Sequence, residues 1–319
     1  MPISRDSSKR LSRILKRREK ALERWKTPPD SSLPADSIFP LTAFGDLLTD
    51  EKAVTTWDEF QEWVRELGPR WSFRGQQKEN WRLLPKLERR IIRRRTASST
   101  DGKRRITAVG MFPGAHEYKL FQQFQKMDHD AGNPTQTDAV LDTLALMQHH
   151  GAPTRLLDWT RCPYVALFFA LQKADSECAV WAIDMEWLEQ TSTEILRKYD
   201  PRYPGSSDCA ALMQYINSVL FEEQTTWNSH PVVSSLTPVA SIERMKRQEG
   251  HFLRSLSYKL PFDLSLFWMI RSKLAQPWVA NRPLRKLIVM PCQRAALLEE
   301  LRRMNMHADY LLPGSDFAD

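Results

Sequence analysis

Residues 148–160 read Gln148-His149-His150-Gly151-Ala152-Pro153-Thr154-Arg155-Leu156-Leu157-Asp158-Trp159-Thr160, with Pro163 and the apolar run from Tyr164 to Leu171 close behind. Upstream, Leu141, Leu144, Ala145 and Gln148 recur at helical spacing. A helix over 138–150 therefore ends at Gly151, which tolerates the left-handed conformation just past a helix, and Pro153 bars its continuation. Thr154 to Thr160 then reads as a strand. Pro163 suits a first helical position, where its missing N–H has no intrahelical partner, so a second helix opens there and runs over 164–171. That helix is apolar on every side and must be buried. A strand over 178–184 returns at once.

Working outward, Phe60, Val64 and Leu67 share one face of a helix over 57–67, which Gly68-Pro69 stops. An aromatic strand, Trp71 to Gly75, follows. Residues 96–114 read as an exposed loop, and Tyr118, Phe121 and Phe124 mark a helix over 116–127. Further helices are expected near 186–197, 209–223 and 294–304, and strands near 251–256 and 284–290. No internal repeat is visible. Such interleaving predicts an α+β protein with a central mixed or antiparallel sheet packed by helices. A basic helix, residues 5–26, and the proline-bearing stretch 27–40 form an extension, residues 1–40, before a globular body over 41–319 with its signature core at 55–185.

At 42% hydrophobic and 27% charged, the 319-residue chain is too apolar to be disordered. Gly numbers only 11, which argues against glycine-dense nucleotide loops and propeller blades. Four scattered cysteines, Cys162, Cys178, Cys209 and Cys292, with no C-x-x-C pair and no apolar leader, predict a reducing cytoplasm without a zinc knuckle or disulfide framework. No apolar run approaches the ~20 residues of a membrane span. The net charge of +7 gathers in residues 5–26 and 82–105, either of which suits a nucleic-acid partner.

The P-loop, G-x-G-x-x-G, H-E-x-x-H and G-x-S-x-G patterns are all absent. Adjacent His149 and His150 diverge by roughly 100° on a helix, so no metal site is expected. Arg74, at a strand end before Gly75, suits a phosphate-bearing ligand: the guanidinium fork grips oxygens, and glycine admits a ligand to the backbone. The alternative is a buried partnership of Arg74 with Asp158 or Glu117. Period-two spacing puts Thr154, Leu156, Asp158 and Thr160 on one strand face, which suits a cleft, while Asp158 or Thr160 can equally cap the following helix. His149 or His150 can act as base or ligand donor there, or serve as a cap or core histidine. Trp71, Trp81 and Trp159 can stack a base or fill the core.

Trp71-Ser72-Phe73-Arg74-Gly75-Gln76 and the block 148–160 resemble the two signatures of the FRG domain, a bacterial family named for Phe-Arg-Gly. Pro163, Ala166, Leu167, Phe169 and Ala170, the upstream Glu117, Arg244-x-x-x-Gln248-x-Gly250-x-Phe252 and Leu312-Pro313-Gly314 extend the resemblance over roughly 55–315. More distantly, the layout resembles the arginine-serine-glutamate class of ADP-ribosyltransferases, implying a split sheet and NAD as ligand. By that resemblance, Arg74 and Gly75 hold the dinucleotide. The same resemblance has Thr154, Asp158 or Thr160 frame the nicotinamide pocket and leaves Gln248 and Glu249 as candidates for the late catalytic position; apart from it, His149, His150 and Arg155 are further pocket candidates, and Asp158 a further catalytic one. The strand lacks that class's Ser-Thr-Ser, and Gln248 stands where a glutamate is expected. The implied function is an NAD-dependent ADP-ribosyltransferase or an NAD-cleaving toxin or phage-defence effector. The competing readings are a nucleic-acid-binding module and a non-catalytic domain sensing a ligand or partner.

Overall fold

A computed structural model describes residues 50–97, 113–130, 140–205, 209–221, 232–238, 243–271 and 282–312. Among the described residues the elements are, in order, β1 (Asp50–Val54), α1 (Trp57–Leu67), β2 (Trp71–Gln76), α2 (Lys86–Ala97), α3 (Pro113–Asp130) and α4 (Val140–His149). They continue through β3 (Leu157–Thr160), α5 (Pro163–Leu171), β4 (Cys178–Asp184), α6 (Met185–Tyr199), α7 (Cys209–Val219) and β5 (Val233–Leu236). They close with α8 (Glu243–Arg247), β6 (Gly250–Ser255), α9 (Phe262–Arg271), β7 (Leu284–Val289), α10 (Arg294–Arg303) and α11 (Ala308–Leu311). The expected basic helix at 5–26 and the stretch 27–40 lie outside the described residues.

The seven strands form one sheet in the order β1-β7-β4-β2-β3-β6-β5. β1 runs parallel to β7, and every other neighbouring pair is antiparallel. The architecture is the α+β, mixed-sheet one that the sequence predicts. β4 shows why its sequence is a continuous apolar run: both of its faces are covered. Ala179, Trp181 and Ile183 enter one hydrophobic cluster, shared with α3, α4, α6, α7 and α9. Cys178, Val180 and Ala182 enter a second, shared with α1, α5, α10 and α11.

Local chemistry sets the elements that matter for the site. α1 is opened by a reciprocal cap in which Thr56 accepts from the Glu59 N–H while the Glu59 carboxylate accepts from the Thr56 N–H. α5 is buried as its composition demands, and each Val, Leu or Phe it removes from water contributes about 1.5–3 kcal/mol. The strand expected over 154–160 is shorter, because the earlier backbone groups are engaged elsewhere. The Arg155 N–H donates to Glu117 Oε1 at 2.5 Å, the Leu156 N–H donates to the Thr154 hydroxyl at 3.3 Å, and the Thr154 carbonyl accepts from the Leu87 N–H at 3.2 Å. Part of the expected loop at 96–114 is helical, since α2 runs to Ala97 and α3 starts at Pro113. No helix among the described residues is long and apolar enough to cross a membrane.

Candidate functional site

β2 and β3 meet at a single residue pair, Phe73 opposite Thr160. An unbroken antiparallel ladder would next set Arg74 opposite Trp159 and Gly75 opposite Asp158. Those pairs do not form, although β2 stays fully paired with β4, and β3 with β6. A cavity of about 410 Å³ opens where the ladder stops. Val165, Ala166 and Phe169 of α5 line it from one side of the sheet, and Ala145, Gln148 and His149 of α4 from the other.

Arg74 bridges the opening. Its Nη1 donates to the Asp158 carbonyl at 2.5 Å, an acceptor freed by the interrupted ladder, and lies 3.8 Å from Asp158 Oδ2. The side chain is 13% exposed, and its Nε is buried without a hydrogen-bond partner. Burial pulls the guanidinium down to about 10, the Asp158 carboxylate resists that fall, and the nearby Arg89 charge adds to it. Arg74 stays cationic at neutral pH. Arg89 and Arg244 also line the cavity with Arg74, and among the described residues of the lining Asp158 is the only carboxylate. Phe73, Trp81, Trp159, Phe169 and Phe252 supply aromatic walls, and the Trp159 Nε1–H is buried without an acceptor.

Asp158 is 66% exposed and accepts from Gln148 Nε2 at 2.6 Å. Gln148 Oε1 in turn accepts from the Thr154 hydroxyl. Sequence reasoning quoted Gln148 within the signature block without giving it a role; its place one helical turn before the Gly151 stop was the available signal.

The other candidates divide. Gly75, Asp158, Thr160, His149 and Gln248 line the cavity with Arg74, whereas His150, Thr154, Arg155 and Glu249 do not. Gly75 is explained by packing more than by ligand approach: a Cβ there would sit 2.0 Å from the Ala166 carbonyl oxygen and 2.6 Å from the Ala170 nitrogen of α5. Thr154 is fully buried and acts behind the wall. Arg155, 1% exposed, is spent on an ion pair with Glu88 at 3.0 Å and a bond to the Leu260 carbonyl at 2.9 Å. Glu117 pairs with Arg254 at 2.6 Å and not with Arg74. The Thr160 hydroxyl donates to the Gln248 carbonyl at 2.6 Å and accepts from the Cys162 N–H at 3.0 Å, so it braces the turn into α5. Gln248 Nε2 donates to the Leu311 carbonyl at 2.7 Å, tying α8 to α11. Glu249 is exposed in a left-handed turn at φ 46°. The rings of His149 and His150 stand 5.4 Å apart at 73°, both exposed.

The basic stretch 82–105 is partly committed. Arg82 is paired with Asp263 at 2.6 Å, and Arg89 faces the cavity. Residues 98–105, like 5–26, lie outside the described residues. Trp71 packs in the core, while Trp81 and Trp159 reach the cavity wall.

Neither a curated protein nor a solved structure matches the chain. A family model does: residues 69–178 match the FRG domain. The matched range holds Arg74, Gln148, Asp158 and α5, while Arg244, Gln248 and Phe252 complete the cavity from beyond it. Both signature blocks lie inside that match and are set against each other across one opening, so it is residues 69–178, about a third of the chain, that the FRG-domain family model describes.

Proposed function

We propose that the cavity binds a nucleotide, that the nucleotide is NAD, and that the protein cleaves or transfers its ADP-ribosyl group. The observation that carries this reading is Arg74, a buried guanidinium with an unpartnered Nε beside a second arginine and one carboxylate. A buried cation flanked by a like charge is poorly compensated, and phosphate oxygens are the acceptors that a guanidinium fork fits best. Arg89 and Arg244 add to the same preference, and the aromatic walls suit a base or nicotinamide ring. A volume of about 410 Å³ falls within the usual range for small-ligand sites.

In this reading Arg74 and Arg89 hold phosphate while Asp158 faces the ribose. The glycosidic C–N bond breaks, nicotinamide leaves with the bonding pair, and the Asp158 carboxylate stabilises the oxocarbenium-like carbon. Water or an acceptor nucleophile then bonds that carbon and loses its proton. Asp158 takes the role that the resemblance assigns to the 248–249 position, because the Gln248 amide is engaged with Leu311 and Glu249 lies outside the lining.

Calorimetry and thermal shift with NAD, ADP-ribose and AMP, together with nicotinamide release, test the proposal. NAD and ADP-ribose should raise the melting temperature by a few degrees at saturation. Arg74→Ala should abolish that shift, and Asp158→Asn should keep binding while losing release by about a hundredfold or more. A wild-type protein that neither binds these nucleotides nor releases nicotinamide would overturn it.

A further inference from the structure

Arg74 and Asp158 carry opposite charges and face one another across a narrow opening, yet they do not close into a bidentate pair. Among the described residues the Asp158 backbone carbonyl is the acceptor bonded to the guanidinium, and Asp158 Oδ2 stays 3.8 Å from Nη1, beyond hydrogen-bond reach. Closure would suit a carboxylate with that freedom. It would also spend the guanidinium and the carboxylate on each other.

A bond on the far side restrains the carboxylate. Asp158 Oδ1 accepts from Gln148 Nε2 at 2.6 Å. A glutamine amide can present either its oxygen or its nitrogen, and turning oxygen toward a carboxylate would be repulsive. Thr154 removes that option. Its oxygen already accepts from the Leu156 N–H, its one hydroxyl proton is directed to Gln148 Oε1, and the Gln148 nitrogen is thereby turned to Asp158. Thr154 is wholly buried, and its carbonyl is held by the Leu87 N–H of α2, so the relay starts from a fixed point.

We infer that Thr154 and Gln148 are positioning residues that hold the Asp158 carboxylate away from Arg74, keeping the guanidinium available to an anionic ligand. The inference rests on the proposed nucleotide site for its biological meaning, but the separation itself is a property of the unliganded protein. Without the relay, Asp158 rotates onto Arg74 and competes with phosphate.

The test is a double-mutant cycle with two readouts, using Gln148→Leu, the near-isosteric Thr154→Val, Asp158→Asn, and each relay variant combined with Asp158→Asn. In the unliganded protein, the Arg74 side-chain Nε–H resonance should shift in either relay variant as the carboxylate closes on it. It should stay unshifted by the relay changes when Asp158→Asn is present. In calorimetry with inorganic pyrophosphate and with ADP-ribose, each relay variant should bind about tenfold more weakly. Adding Asp158→Asn should restore the affinity, which a merely structural loss would not allow.

Arg74 resonances indifferent to Gln148→Leu and Thr154→Val would overturn the inference whether or not nucleotides bind. So would weakened binding that Asp158→Asn fails to rescue. A relay that behaves as expected in the resonance measurement, in a protein that binds neither probe, supports the inference and retires the nucleotide reading instead.

Discussion

His251 sits in β6 opposite Trp159, 4% exposed, with neither ring nitrogen hydrogen-bonded. Burial, helped by the nearby Arg161 charge, holds its imidazole down at about 4, against about 6.5 in an unfolded chain. The folded protein therefore refuses a proton that the unfolded chain accepts between those values. The stabilisation is complete above about pH 6.5 and is lost as pH falls toward 4, amounting to about 3 kcal/mol at 1.36 kcal/mol per unit. Urea unfolding of wild type and His251→Leu should show their stabilities diverging by that amount between pH 7 and pH 4, with the variant relatively favoured in acid; parallel pH profiles would refute it. At this scale the sequence identified residue types well and their partners poorly. Arg74 and Asp158 were legible from a strand-end arginine and a polar strand face. The engagement of Gln248 by Leu311 and of Arg155 by Glu88 depends on segments 63 and 67 residues away, which no local pattern encodes.

Among elements, the contact between β2 and α5 is the most demanding. The helix backbone lies so close to Gly75 that a methyl group would meet the Ala166 carbonyl at 2.0 Å, and small Ala166 and Ala170, both fully buried, allow the approach. Gly75→Ala should cost more than about 3 kcal/mol, above the ordinary overpacking range because a helix backbone and not a flexible side chain must yield. A urea midpoint close to wild type would show that the helix can move away. α1, α5 and β4 were readable because caps, prolines and apolar runs mark them locally. α2 was read only as a charge cluster, since its buried apolar residues, among those described, are Leu87, Ile91 and Ile92, set within a stretch of arginines. β1 was missed for a different reason: its sequence, Asp50-Glu51-Lys52-Ala53-Val54, is charged as edge strands often are, and its partner β7 is far along the chain.

Across the whole molecule, four buried charges join parts that the sheet alone does not connect. Glu88 of α2 pairs with Arg155, whose backbone N–H is held by Glu117 of α3, and Glu117 pairs with Arg254 of β6. All four side chains are at most 1% exposed, and their charges cancel. Removing one member strands its partner in a low-dielectric interior, so Arg155→Met should cost about 3–5 kcal/mol. The double variant Glu88→Gln, Arg155→Gln should recover part of that loss in the same unfolding assay. The sequence supplied these residues without their pairing.

The meeting of Phe73 with Thr160 has a topological consequence. In chain order the strands fall alternately on its two sides: β2 precedes it, β3 follows it, β4 returns, β5 and β6 lie beyond, and β7 returns again. The two sides are laced together like those of a boot: the chain crosses from one to the other between β2 and β3, β3 and β4, β4 and β5, and β6 and β7, so the junction does not depend on its one residue pair alone. Opening a single connection by circular permutation would leave the remaining laces to keep the halves in register.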